Sequence, residues 1–203
     1  TAVIASEVTA ETLTARAQAG DAAAQVALGY ALHDGRGVPR DEAAAAEWFR
    51  KAADQGSAQG LAALGYVYMS GSGVPADPAK AASLTRAAAE KGLAVAAYNL
   101  GLMYLNGQGV RADPVQAMQW LRKAADARHV DAQYAFGLIN ARGEAGEPDY
   151  VEAIKWLTLA AAGGNAEMRA SALAKIKVIS EAVGPDMTQE GLEAARVWLF
   201  SHS

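Results

Sequence analysis

The sequence predicts an all-α protein, a solenoid of helix-turn-helix repeats, and three observations carry that prediction. First, the chain repeats itself every 36 residues: Gly29, Gly65, Gly101 and Gly137 share one position, and Gly35, Gly71, Gly107 and Gly143 a second. Asp41, Asp77, Asp113 and Asp149 obey the same rule, as does a bulky apolar position at Trp48, Leu84, Trp120 and Trp156. Second, the four copies run without insertion or deletion, which is the mark of stacked supersecondary units. Third, each copy carries two apolar stripes of helical period, separated by a glycine-rich turn.

The third copy shows how one unit is built. Ala96, Leu100, Met103 and Tyr104 form one stripe of a first helix. Gly101 lies within it and lets the partner helix approach closely. The helix is expected to stop at Asn106-Gly107, where glycine accepts left-handed geometry. Gln108-Gly109-Val110 continues the turn and returns one apolar residue to the core. Asp113 is the expected N-cap of the second helix, with Pro114 at its first position, and Asp77-Pro78 repeats that pair. The second helix is expected to bury Ala117, Trp120, Leu121, Ala124 and Ala125. So much alanine at contact positions implies helices packed nearly backbone to backbone.

The pattern A-x-x-x-L-G-x-x-Y-x-x-G-x-G-V-x-x-D, followed by A-x-x-W-L-x-K-A-A, resembles the Sel-one-like repeat (SLR), a relative of the tetratricopeptide repeat (TPR). The resemblance spans Ala24 to Asn165 in four consecutive copies. It implies a TPR-like, right-handed αα superhelix and an adaptor or regulatory role in protein–protein interaction. It also implies bacterial signalling or envelope processes as the setting, and an exported, periplasmic location.

Composition sets the outer limits. A chain of 203 residues, 52% hydrophobic, can bury a substantial core, and about eleven helices are expected in a single solenoid domain. Net charge is −4 without runs of like charge, so neither a nucleic-acid footprint nor a polybasic membrane anchor is present. Cysteine is absent, which excludes disulfide staples, thiolate metal sites and the disulfide-linked branch of the SLR family. No stretch is long and apolar enough to cross a bilayer. The chain opens on Thr1, read here as the trace of a removed segment such as a signal peptide. It is expected to be a monomer.

In order, Thr1 to Ala5 are expected to fray, and Ser6 to cap a helix running to about Ala19. Residues 1–20 thus form an N-terminal capping helix over the first repeat. Residues 21–164 hold the repeats: Asp21–Gly56, Ser57–Gly92, Leu93–Arg128 and His129–Gly164. Residues 165–203 form C-terminal capping helices, Ala166 to about Ala182 and Thr188 to about Phe200, separated at Gly184-Pro185. The closing MTQEGLEAARVWL resembles the last helix behind bacterial SLR arrays. The fourth copy departs from its predecessors, with Gly143-Glu144-Ala145-Gly146 in the turn and Asn140 before it. At the preceding junction Arg128 replaces the glycine of Gly56, Gly92 and Gly164, and with Arg122, Lys123 and His129 it places basic charge near one edge.

No catalytic, cofactor or metal residue is assigned. His33, His129 and His202 lack metal-ligand spacing, and no nucleophile elbow or phosphate loop occurs. Gly71-Ser72-Gly73 recurs as Gly35-Arg36-Gly37 and Gly107-Gln108-Gly109, so it is architectural. Glu144, Glu147 and Asp149 read as a solvated acidic loop. A binding surface has better support. The first-helix face opposite the packing stripe carries Val26, Tyr30 and His33; Ala62, Tyr66 and Met69; Tyr98, Leu102 and Leu105; Tyr134, Leu138 and Ala141. First helices line the concave side of helical-pair solenoids, so a peptide or partner domain is expected against Tyr30, Tyr66, Met69, Tyr98, Leu102, Tyr134 and Leu138. The alternative is that the array curls and buries these residues; the outermost copies are expected to be the more exposed. Two rival functions are a hydrolase of cell-wall or amide substrates, for which no nucleophile–base pair exists, and a passive spacer in an envelope complex.

Overall fold

A computed structural model describes residues 10–202, and within them the chain forms eleven helices and no strand. The expected fraying at Thr1 to Ala5 and the Ser6 cap lie outside the described residues. In chain order the helices are α1 (Ala10–Gln18), α2 (Ala22–Asp34), α3 (Glu42–Asp54), α4 (Ala58–Ser70), α5 (Pro78–Glu90) and α6 (Ala94–Asn106). They continue with α7 (Pro114–Asp126), α8 (Val130–Arg142), α9 (Tyr150–Gly163), α10 (Ala166–Val183) and α11 (Pro185–Ser201). The helices group into two compact units whose boundary falls within α6: residues up to Ala96 with Gln108–Val110, and Ala97–Gly107 with the residues from Arg111 onward.

Each second helix starts where the sequence places an aspartate. Asp41, Asp77, Asp113 and Asp149 accept hydrogen bonds from the backbone N–H of Ala44, Lys80, Gln116 and Glu152, using donors that a helix start leaves unsatisfied. The same four residues pin the turn from the other side. Their own N–H groups donate to the carbonyls of Leu32, Tyr68, Tyr104 and Asn140 at 2.8–3.0 Å. Because that bond uses backbone only, the fourth copy keeps it although Asn140 stands where tyrosine or leucine is usual. Asn140 is buried, its Nδ2 donating to the Phe136 carbonyl at 2.7 Å.

In the N-terminal unit α1 packs on α2 through Ala17, Ala24 and Leu28, with Leu13, Leu32 and Trp48 closing over them. A Cβ built on Gly29 would stand 2.5 Å from the Phe49 ring, so the glycine is what lets α2 and α3 meet. In the C-terminal unit the equivalent glycines meet the same partner position: Gly101 faces Leu121, and Gly137 faces Leu157. As expected, α7 buries Ala117, Trp120, Leu121, Ala124 and Ala125.

The C-terminal pair covers the last repeat. α10 and α11 both pack on α9, whose Ile154, Trp156 and Leu157 are fully buried. Gly191 sits against Ile154, and Trp198 meets Trp156 edge-on at 5.7 Å. α11 starts at Pro185 rather than at Thr188, because proline's fixed φ and missing N–H suit the first helical position. Gly164 also differs from its counterparts. Gly20, Gly56 and Gly92 are left-handed, whereas Gly164 has φ −85° because α9 runs one residue longer, through Gly163.

Candidate functional site

The first-helix face divides by register. Tyr30 and Tyr66 occupy one position of the repeat, and both rings are exposed, at 42% and 57% of their surface. Around them in the N-terminal unit, Tyr30 meets Phe49 edge-on at 4.9 Å, and His33 meets Tyr66 edge-on at 5.9 Å. Burial of part of the ring, with the charge of Asp34 and the neighbouring Tyr66, holds the Tyr30 hydroxyl above the usual tyrosine range, so it remains a donor. Met69 is half-buried one turn further on.

Tyr98 and Tyr134 belong to a different register, one helical turn earlier, shared with Val26 and Ala62. All four are half-buried. In the C-terminal unit Tyr98 stacks on the His129 imidazole at 4.8 Å and 22°, and burial followed by the charge of Asp131 pushes its hydroxyl pKa up. Tyr134 and Leu138 pack against the cluster of Ala153, Ile154, Leu157, Ala172 and Ile179. Tyr134 also walls a hollow of about 340 Å³ with Asp131, Asn165, Glu167 and Met168. Leu102 is half-buried. Leu102 and Leu138 hold the repeat position of Tyr30 and Tyr66 yet are half-buried, so exposure follows neither register alone nor closeness to the ends of the array: Tyr66, in an inner copy, is more open than Tyr134 in the last.

The acidic loop and the basic edge dissolve into separate local contacts. Asp149 caps α9, and Glu144 pairs with Arg142 at 3.0 Å. Lys123 lies over the Trp120 ring at 4.0 Å, and Arg122 reaches Asp126 at 3.9 Å. His129 Nδ1 accepts from the Ala132 N–H at 3.3 Å, capping α8 and fixing the proton of a neutral imidazole on Nε2. His33 approaches Glu42 at 3.4 Å, and His202 stacks on Trp198 at 4.3 Å. No group of three metal-binding side chains occurs among the described residues, and no described helix is long and apolar enough to cross a membrane.

Arg128 is the one described non-glycine residue in left-handed backbone, at φ 64°. An L side chain there costs about 1–2 kcal/mol. Its guanidinium reaches the Trp198 face at 5.6 Å, a cation–π contact that offsets part of that cost. Beside it opens a second hollow, of about 230 Å³, walled by Gln133, Leu159 and Leu199. The sequence marked Arg128 through its broken register. It did not mark Gln133 or Trp198; the signal for Gln133 was available in Gln25, its counterpart in the first copy.

Helix pairs repeating every 36 residues define a helical-repeat solenoid. The Sel1 repeat family matches residues 22–57, 58–93, 94–129 and 130–165, and the chain belongs to that family. Sel1 repeat proteins are generally protein-interaction scaffolds and typically non-enzymatic. The chain is similar to a protective antigen of uropathogenic Escherichia coli that displays an SLR fold, with 33% identity and a TM-score of 0.81 over 94% of this chain. A Sel1 repeat protein of Oxalobacter formigenes matches 79% of it, with 34% identity and a TM-score of 0.72. The chain spans 41% and 47% of the length of these two proteins. A candidate Sel1 repeat protein of Klebsiella pneumoniae, 24% identical with a TM-score of 0.58, covers 95% of this chain and 92% of its own, and shares the fold. No curated protein matches the chain significantly.

Proposed function

We propose that the chain is a non-catalytic scaffold that holds a peptide segment or partner domain against its first-helix face, in bacterial signalling or envelope processes. The observation that carries this reading is the exposure of Tyr30 and Tyr66, large rings left in solvent on helices whose opposite face already supplies the core. Tyrosine gives a wide contact area with one polar handle and few rotamers to freeze. Met69 adds an adaptable apolar contact beside them. Tyr98, Leu102, Tyr134 and Leu138 form the corresponding face of the C-terminal unit, with tyrosines held more tightly by their neighbours. The bacterial origin of the similar solved proteins supports the setting.

A paired substitution tests the face. Tyr30→Ala with Tyr66→Ala is expected to change folding stability by less than about 1 kcal/mol, yet to weaken partner binding by about 2 kcal/mol or more. Tyr98→Ala with Tyr134→Ala removes partly packed rings and is expected to cost more stability than the first pair. Affinity capture with wild-type and Tyr30/Tyr66-substituted chains side by side supplies the binding readout. Recovery of the same partners by both chains would sink the proposal.

A further inference from the structure

The fourth copy opens a cavity where the first copy is filled. In the first copy Gln25 donates through Nε2 to the Ala17 carbonyl at 3.1 Å, and its Oε1 accepts from Gln55 at 2.7 Å. Three repeats on, Gln133 repeats the first bond, donating to the Ala125 carbonyl at 3.3 Å. The counterpart of Gln55 is Gly163, which has no side chain, and the hollow of about 230 Å³ lies there, walled by both residues. Gln133 is only 4% exposed, and among the described residues its Oε1 takes no hydrogen bond. That oxygen is not among the fully buried side-chain atoms left without a partner, so it keeps an open side, and the residue lines the hollow. On the same hollow stands Arg128, whose guanidinium meets the Trp198 face and no carboxylate among the described residues. The remaining wall is apolar, with Val130, Leu159 and Leu199.

An anion-seeking guanidinium, an acceptor with no donor and an apolar wall select a ligand with a carboxylate, an adjacent N–H and an apolar side chain. The last residue of a peptide has all three on one α-carbon. We propose that this hollow is a binding site for the free C-terminus of a peptide ending in an apolar residue. Arg128 takes the terminal carboxylate in a charge-assisted hydrogen bond, Gln133 Oε1 accepts the terminal residue's own N–H, and Val130, Leu159 and Leu199 hold its side chain. The site belongs to the C-terminal unit, whereas Tyr30 and Tyr66 belong to the N-terminal one, and it rests on the scaffold reading only for its choice of a peptide as ligand.

The test is calorimetric titration of the full chain with acetyl-Ala-Ala-Leu, as the free acid and as the carboxamide. The acid is expected to bind at least about tenfold more tightly than the carboxamide. Arg128→Gly, which restores the residue found at Gly20, Gly56 and Gly92, is expected to abolish that preference. Gln133→Leu, which matches Leu61 of the second copy, is expected to weaken the acid several-fold. Gly163→Gln rebuilds the Gln55 arrangement and is expected to block binding while the chain stays folded, so the test does not hang on one variant. Equal affinity for acid and carboxamide, an unchanged preference in Arg128→Gly, or no binding of the acid at millimolar concentration would each overturn the site. Tyr30→Ala with Tyr66→Ala leaves this titration unchanged, so the tyrosine face and the terminus site fail or stand separately.

Discussion

Arg128 and Gly107 hold the same backbone geometry with opposite consequences. Gly107 ends α6 at φ 66°, and adding a Cβ there brings backbone strain. Gly107→Ala is expected to destabilise by about 1 kcal/mol, read as a lower urea midpoint at unchanged slope. Arg128 carries that strain already but has the Trp198 contact in return. The expected order of stability is therefore that Arg128→Gly stays within about 1 kcal/mol of the wild type, while Arg128→Ala falls below both. Alanine keeps the strain and loses the ring. If Arg128→Ala matched the glycine variant, the backbone at this junction would not be strained in solution.

Between elements, the second glycine of the turn sets how closely one repeat seats on the one before it. A Cβ on Gly73 would lie 2.2 Å from the carbonyl oxygen of Glu42, the first residue of α3, and one on Gly109 would lie 1.9 Å from that of Pro78, the first residue of α5. Gly37 has nothing within 4 Å. All three have φ near 70°, so backbone strain is the same and the seating differs. Gly37→Ala is expected to cost about 1 kcal/mol and Gly109→Ala about 2–4 kcal/mol, with denaturation curves measuring the difference. In the fourth copy this position is Ala145, without left-handed backbone, and the turn is rebuilt through a bond from the Gly146 N–H to the Gly143 carbonyl at 3.2 Å. What the sequence shows as a lost motif is, in the fold, a turn that no longer uses glycine to seat itself.

For the whole molecule, helix caps, pinned turns and apolar packing recur along the chain, and among the described residues no group of three carboxylate or imidazole side chains could hold a metal ion. The melting temperature is expected to be the same with and without EDTA; a large fall would reveal a metal site. The helix pairs, the aspartate caps and the glycine contacts were legible in the sequence because each acts within one repeat, where a period of 36 residues exposes it. The proposed binding face was legible only as a set of positions. Whether Tyr66 stands in solvent while Tyr98 lies against His129 depends on what the next copy places beside each ring. Register alone does not carry that information, since Leu102 and Leu138 share the position of Tyr30 and Tyr66 and are half-buried. The second hollow was hidden because it arises from a missing side chain, Gly163, combined with Trp198 of a helix outside the repeat.

The meeting of Trp156 and Trp198 also gives the protein an optical signature. Two indoles 5.7 Å apart at 64° couple their near-ultraviolet transitions, and Trp156 is fully buried, with its Nε1–H donating to Glu152 at 2.6 Å. The pair therefore rotates light in a way that isolated Trp48 and Trp120 do not. That signal exists only while α11 is docked on α9, so its loss on heating reports separation of the last helix. With Arg128 over the Trp198 face, occupancy of the neighbouring hollow would be written into the same band.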